Sequence, residues 1–190
     1  MTDIIEEVKE VEEVKEIKKD EKYPILAMRY IHFTSVEAKI ALGLIKPYAE
    51  ELAKQSGEYG HATIIQGIYS RAFTLYLGYT VKTEHDKDVI EHLGSSFEDV
   101  EAIDKDFAGY IIVEPNYIVR RAHIWQAYIM PKYMNTNLLK VGMKWLLKEL
   151  KEKEDIKSIT MSSPKEGWHR KAIDMGFTET YTITGYKMEI

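Results

Sequence analysis

The sequence predicts an α/β (α+β) fold in which a mixed, mostly antiparallel sheet is flanked by helices. Two apolar and partly β-branched runs, Phe107 to Val113 and Ala122 to Met130, lie on either side of the turn signal Pro115-Asn116 and predict antiparallel strands. An amphipathic helix and then another strand follow them. That order predicts a parallel β-α-β unit in the C-terminal half of the chain.

The chain begins with a charged segment. Apolar residues recur at every third position from Val8 to Ile17 between Glu and Lys, a period that drifts around a helix of 3.6 residues per turn and forms no straight stripe. Residues 1–22 contain nine acidic and five basic side chains. We expect a solvated, partly helical tail, with a coiled-coil or partner-binding helix as the alternative, and a single domain over residues 23–190.

The first strand and helix of the domain follow the tail. Ile25 to Phe33 predict a strand, and Val36 to Lys54 predict a helix. Thr34 or Ser35 is the expected cap of that helix, because a hydroxyl there can accept a hydrogen bond from a first-turn amide.

The next segment contains the more ambiguous patterns. From Ala62 to Leu77 the apolar spacing predicts a helix, although the Thr, Tyr and Phe content also suits a strand. Val81 to Ser96 is polar and predicts a loop with a short helix. Glu98 to Asp104 alternates weakly and predicts the first of three consecutive antiparallel strands.

The C-terminal half gives clearer signals. Asn137 to Leu150 predicts a helix that packs an apolar face on the sheet and turns its lysines to solvent, and Ile156 to Met161 predicts a strand. Ser163-Pro164-Lys165-Glu166 is a capping box that predicts the start of another helix, which Gly176 ends. Phe177 to Met188 predicts a final strand or hairpin.

The composition excludes several classes of function. The formal charge is −5, most of it in the tail, so the domain lacks the basic surplus expected of a nucleic-acid-binding protein. No apolar run approaches the roughly 20 residues of a membrane span. The absence of cysteine excludes disulfides and thiolate metal sites and suits a reducing, cytoplasmic location. His85 and His92 lie among acidic residues without the spacing of a known zinc motif, so no metal site is expected.

Two motifs in the C-terminal half resemble a known family. Ile129-Met130-Pro131-Lys132-Tyr133 ends the second of the two strands, and Met175-Gly176-Phe177 follows the last predicted helix. From Phe107 to Ile190 the order of elements resembles the GNAT superfamily of acyl-coenzyme A transferases, whose central strand ends in hydrophobic-x-Pro-x-Tyr and whose last helix precedes Leu-Gly-Phe. The resemblance implies a GNAT-like sheet and acetyl transfer from acetyl-coenzyme A to a small-molecule or protein amine.

The resemblance also implies a coenzyme site. In the family a Gln/Arg-x-x-Gly-x-Gly/Ala loop after the central strand holds pyrophosphate, and the strand backbone holds pantetheine. The corresponding residues are Ala127, Tyr128, Ile129, Met134, Asn135, Thr136, Asn137, Leu138 and Leu139. Met134, Asn137 and Leu139 replace the family's Gln/Arg and two small residues, so we expect weaker coenzyme binding, partly offset by the charges of Lys132 and Lys140.

Catalytic residues are implied in the same way. His123 lies near the position where some members hold a catalytic Glu, and an imidazole that titrates near neutrality is a suitable base. Glu114 is a second candidate base. The family's Tyr in the last helix is Ala172 here, so Tyr181, Tyr186 or water is the candidate acid. As alternatives, His123 is an ordinary strand residue and Glu114 a solvated turn residue.

Two functions remain open from the sequence. One is an acetyl-coenzyme A-dependent N-acyltransferase of reduced activity. The other is a noncatalytic GNAT-fold protein with a structural or protein-interaction role, with a partner bound through the tail. Divergent members of this second kind are similar to proteins encoded by bacterial viruses.

Overall fold

A five-stranded sheet forms the centre of the protein. The computed structural model describes residues 25–56, 60–161, 172–175 and 177. The strands are β1 (Ile25–Ile31), β2 (Thr74–Val81), β3 (Asp106–Asn116), β4 (Arg121–Ile129) and β5 (Ser158–Met161), in that spatial order. Neighbouring strands are antiparallel except β4 and β5, which are parallel. The predicted mixed, mostly antiparallel sheet with its parallel β-α-β unit is confirmed.

Helices cover both faces of this sheet. They are α1 (Val36–Ser56), α2 (His61–Tyr69), α3 (Glu84–Glu91), α4 (Phe97–Glu101) and α5 (Leu138–Glu154). Buried side chains of α1 to α4 belong to one core cluster, on what we call the α1 face of the sheet, and those of α5 belong to a second cluster on the α5 face. None of the helices in the described ranges combines the length and apolar character that a membrane span requires.

Helix α5 has the amphipathic form that the sequence predicts. Leu138, Met143, Leu146 and Leu150 are buried against the α5 face of the sheet. The helix ends at Asp155, whose φ of 50° places it in the left-handed region. The amide of Ile156 then donates to the Leu150 carbonyl at 3.1 Å and leads the chain into β5.

The predicted helix from Ala62 to Leu77 is wrong in its second half. Helix α2 ends at Tyr69, Arg71 takes a φ of 63°, and the chain enters β2 at Thr74. All seven residues from Leu75 to Val81 are buried, because β2 is a central strand covered on both faces. Such a strand has apolar residues on both faces, so its sequence lacks the alternation that would separate it from a helix.

The predicted strand from Glu98 to Asp104 is also wrong, since this segment contains helix α4. Ser96 Oγ accepts a hydrogen bond from the Asp99 amide at 3.1 Å, and the Asp99 carboxylate accepts one from the Ser96 amide at 3.2 Å. This reciprocal pair is a capping box, which starts a helix. The preceding polar segment contains α3, in agreement with the predicted short helix.

The end of the chain is described only in part. The predicted tail, the helix start at Ser163 and all of the final strand after its first residue lie outside the described residues. Residues 172–174 are helical. The amides of Met175 and Phe177 both donate to the Ala172 carbonyl, at 3.1 and 3.0 Å, so a helix ends where the sequence predicts.

Gly43 in the middle of α1 offers a simple test of the fold. A Cβ built on Gly43 meets no atom within 4 Å. The substitution Gly43→Ala should stabilise the protein by about 0.5 to 1 kcal/mol, because alanine loses less backbone entropy in a helix. Urea unfolding followed by circular dichroism measures this. A lower unfolding midpoint for the variant would contradict the helical assignment or the open space around Gly43.

Candidate active site

Strand β4 contains a bulge at its centre. Val113 pairs with Ile124, whereas the preceding Ile112 pairs with Gln126, so Trp125 is an extra residue on β4. Its indole packs on the ring of Phe73, with ring centroids 4.6 Å apart. Bulges bend a strand and recur beside active sites, where they change the direction of the chain.

The described ladder between β4 and β5 ends just before this bulge. It joins Arg121–Ile124 to Ser158–Met161, and β5 is described no further than Met161. Within the described part of the chain, the four residues from Gln126 to Ile129 have ladder partners on β3 only. We call these four residues the open half of β4.

The open half of β4 presents backbone groups on the side away from β3. The Met130 amide donates to the Ala108 carbonyl on β3 at 2.8 Å. Because hydrogen-bonding directions alternate along an antiparallel strand, the N–H and C=O groups of Ala127 and Ile129 face away from β3. They are the groups with which an extended ligand could pair as an additional strand.

A short turn fixes the end of the open strand. Pro131–Tyr133 forms a single 3-10 turn, and the Tyr133 hydroxyl lies 2.8 Å from Thr80 Oγ1 on β2. Lys132 Nζ lies 3.2 Å from the Asp106 carboxylate on β3, a hydrogen bond that raises the pKa of Lys132. These contacts attach the turn to the neighbouring strands and so set the position where α5 begins.

The first turn of α5 forms the next wall of the site. Its N-cap is Asn137, whose side chain makes no capping hydrogen bond within the described ranges, and the first turn carries no acidic residue. The Leu138 amide donates to Thr136 Oγ1 at 3.3 Å. Helix N-terminal amides and the positive end of the helix dipole favour anions, so this end can bind a phosphate group.

The loop residues that depart from the family pattern differ in how far they are exposed to solvent. Met134 is 49% exposed, beside the exposed Asn135. Leu139 is partly buried and packs against the core cluster on the α5 face. Its bulk is therefore accommodated by the sheet.

His123 lies on the half of β4 that pairs with β5. Its Nδ1 is 2.9 Å from Thr160 Oγ1 on β5. The register of the sheet places Glu114 of β3 directly opposite His123, so their side chains share a face with Cβ atoms about 5 Å apart. The structure thus brings together the two bases that the sequence predicts separately.

Comparison with known proteins places this geometry in context. No protein-family model matches the sequence, and no curated protein matches it significantly. A dodecameric spermidine N-acetyltransferase from Vibrio cholerae has a similar structure, with a TM-score of 0.54, 14% identity and coverage of 82% of this chain and 81% of that one. A ribosomal-protein-alanine N-acetyltransferase from Brucella melitensis gives a TM-score of 0.54 at 9% identity, covering 87% and 99%. The chain has a GNAT-like fold.

In this GNAT-like fold, the third predicted catalytic residue, Tyr181, lies outside the described residues. Ala172, at the position of the family's helical Tyr, is half-buried in the helical segment near the end of the chain and has no group that could donate a proton. Across the described ranges, no three His, Asp or Glu side chains form a group that could hold a metal ion.

Gln126 is a polar residue of the site that the sequence analysis missed. It is 4% exposed, and its Oε1 accepts a hydrogen bond from the Tyr110 hydroxyl at 2.7 Å. Its Nε2 has no hydrogen-bond partner among the described residues. A buried donor without an acceptor is costly, so each one calls for a physical explanation. The feature of the sequence that could have identified Gln126 is its single amide side chain within the apolar run that forms β4.

Aromatic rings line the α1 face beside this residue. The ring of Tyr128 stacks on Tyr48 at 4.8 Å and on Tyr110 at 5.8 Å. Burial, and then the nearby charge of Glu51, raises the pKa of Tyr128. The phenol of Tyr128 therefore stays protonated and uncharged at neutral pH.

A small apolar pocket, largely open to solvent, lies on the opposite, α5 face. Its lining includes Ile129 from the end of β4 and both Leu138 and Leu139 from the start of α5. The pocket therefore borders the same turn that supplies the helix amides.

Proposed function

We propose that the protein is an acyl-coenzyme A-dependent N-acyltransferase that transfers an acyl group, in the simplest case acetyl, to an amine. The observation that carries this proposal is the arrangement of β4 and the start of α5. The N–H and C=O groups of Ala127 and Ile129 face away from β3, and a short turn leads from them to a helix N-terminus where the Asn137 side chain makes no capping hydrogen bond within the described ranges. His123 lies on the same strand. We propose that β4 and β5 separate beyond their last described pair, so that these backbone groups can pair with a ligand.

The residues present fit the coenzyme. The backbone N–H and C=O groups of Ala127 and Ile129 match the amides of a pantetheine arm, which would pair as an additional strand. The first-turn amides of α5, with Lys140 on the same turn, would bind the pyrophosphate. These donors belong to the backbone, so they do not depend on the departures at Met134 and Asn137. When bound, the acyl-coenzyme A thioester supplies an acyl carbon whose bond to sulfur breaks as a bond to the amine nitrogen forms.

His123 acts as the base in this proposal. It lies on β4 one residue before the last described pair with β5, and it removes the proton that the amine nitrogen loses on forming the new bond. Glu114, its neighbour on β3, stabilises the resulting imidazolium by its negative charge. The departing sulfur takes its proton from water or from Tyr181, which remains the candidate acid.

The acceptor is proposed only as a class. The two similar structures are named as N-acetyltransferases of spermidine and of ribosomal-protein alanine, and both acceptors carry an amine. We propose a small-molecule or protein amine for this chain as well. The stacked rings of Tyr48 and Tyr128 on the α1 face would pack against the acceptor's carbon chain.

The experiment compares coenzyme binding in two matched variants. Asn137→Asp adds a negative charge at the start of α5 while preserving the side-chain shape and suiting the helix dipole. We expect it to weaken acetyl-coenzyme A binding in calorimetry by about tenfold or more, because the added carboxylate repels the pyrophosphate. Asn116→Asp makes the same change at the far end of β3, near the hairpin turn, and should leave the affinity unchanged.

A noncatalytic GNAT-fold protein is the second candidate. It is favoured by Ala172, which replaces the family's proton-donating Tyr. If the wild-type protein gives neither heat of binding nor a thermal shift with acetyl-coenzyme A, the acyltransferase proposal is wrong and this alternative stands. Equal weakening by both Asn variants would mean that the coenzyme does not bind at α5.

A further inference from the structure

One hydroxyl group determines the orientation of the candidate base. Thr160 Oγ1 lies 2.9 Å from His123 Nδ1 and 3.4 Å from the Ala122 carbonyl oxygen. A carbonyl oxygen can only accept a hydrogen bond, whereas a hydroxyl donates one and accepts others. Thr160 is half-buried on β5, the strand that runs parallel to β4.

Both contacts can be hydrogen bonds at the same time in only one arrangement of the protons. If the Thr160 hydroxyl donates to Ala122, its lone pair accepts a hydrogen bond from Nδ1–H of His123. If the hydroxyl instead donates to Nδ1, the Ala122 contact is no longer a hydrogen bond. The first arrangement makes both bonds, and it leaves the proton of the neutral imidazole on Nδ1.

From this geometry we infer that Thr160 is a positioning residue that holds His123 in the Nδ1–H tautomer. The lone pair of the neutral ring is then on Nε2, the nitrogen farther from the backbone. The free side chain in water prefers the opposite tautomer, so the protein must select this one. As a catalytic device the inference rests on the proposed acyltransferase function, because Nε2 would receive the amine proton.

The fold makes this contact a precise one. His123 and Thr160 are paired in the register of β4 and β5, one step before the last described pair. Threonine is β-branched and has a restricted χ1, so its hydroxyl is held in one direction. The imidazole is thereby oriented from the β5 side, while Glu114 faces it from β3.

The first test reads the tautomer directly and does not require activity. The protein is labelled with ¹⁵N-histidine, and His123 is assigned among the six histidines by its loss in His123→Asn. At about pH 8.5, where imidazoles are ordinarily neutral, the wild type should show a protonated Nδ1 and an unprotonated Nε2. Thr160→Val keeps the shape but removes the hydroxyl, and it should move the proton to Nε2. Thr160→Ser should retain the wild-type pattern.

A matched control and a kinetic measurement complete the experiment. Thr74→Val makes the same change on β2 and should leave the His123 signals unchanged. In acetyl transfer, Thr160→Val should lower kcat about tenfold or more with little change in KM for the coenzyme, and Thr160→Ser should restore it. A wild-type Nε2–H tautomer, or unchanged signals in Thr160→Val, overturns the inference. If no transfer is detected but the tautomer changes as expected, the inference about Thr160 stands and the proposed function fails.

Discussion

The substitution Gly109→Ala should destabilise the protein by more than about 4 kcal/mol, or prevent folding, which is an exceptional cost for one added methyl group. Gly109 lies in β3 with a φ of 157°, and a Cβ built there falls 2.1 Å from the Tyr128 carbonyl oxygen on β4. Because the clashing atom belongs to the backbone, the strands must separate to relieve it. Gly109 is opposite Ile129, so the open half of β4 moves as well.

The yield of soluble protein and the urea unfolding midpoint measure this effect. Gly43→Ala is the matched control, since the same chemical change in open space should raise the midpoint. A Gly109→Ala protein with the wild-type midpoint would show that β3 and β4 are not paired as described.

The substitution Arg29→Met should cost about 3 to 5 kcal/mol of unfolding free energy, because it leaves a buried carboxylate without its cation. The guanidinium of Arg29 binds the Glu37 carboxylate at 2.5 and 3.0 Å, and the two side chains are only 8% and 12% exposed. It also donates to the carbonyls of Ile90 and Ser95 at 3.1 and 3.2 Å. One side chain therefore joins β1, α1 and the connection after α3.

A double variant separates the destabilising effect of an unpaired buried charge from the effect of lost packing. Arg29→Met combined with Glu37→Leu should be more stable than Arg29→Met alone, because no unpaired charge is then buried. Lys82→Met breaks the exposed ion pair with Asp104 and should leave the unfolding midpoint unchanged. A single Arg29→Met variant as stable as the wild type would contradict the buried pair.

The elements of the C-terminal half could be predicted because their signals are local. Helix α5 has one apolar face, and the ends of β3 and β4 are marked by charged and turn residues. Strand β2 could not be identified with the same certainty, since both of its faces are buried and its apolar residues also fit a helical spacing. For α4, the sequence contains the capping signal Ser96-Phe97-Glu98-Asp99, but the weak alternation of apolar residues after it also fits a strand.

The candidate site was predictable where it depends on a local motif. The segment ending at Tyr133 and the loop that opens α5 follow directly from the sequence. The bulge at Trp125 does not, because it depends on the register between two strands. The pairing of His123 with Thr160 is likewise a contact between residues that only the sheet brings together.

The open half of β4 has a further consequence for aggregation. An unpaired strand edge is a template on which other chains can add and aggregate. Among the described residues, the open half of β4 is only four residues long, from Gln126 to Ile129, and Pro131 follows almost at once. Proline lacks the N–H needed to continue a ladder, so a foreign strand would find too few hydrogen bonds to hold it. An edge this short would leave backbone groups open to the proposed ligand without the length that polymerisation requires.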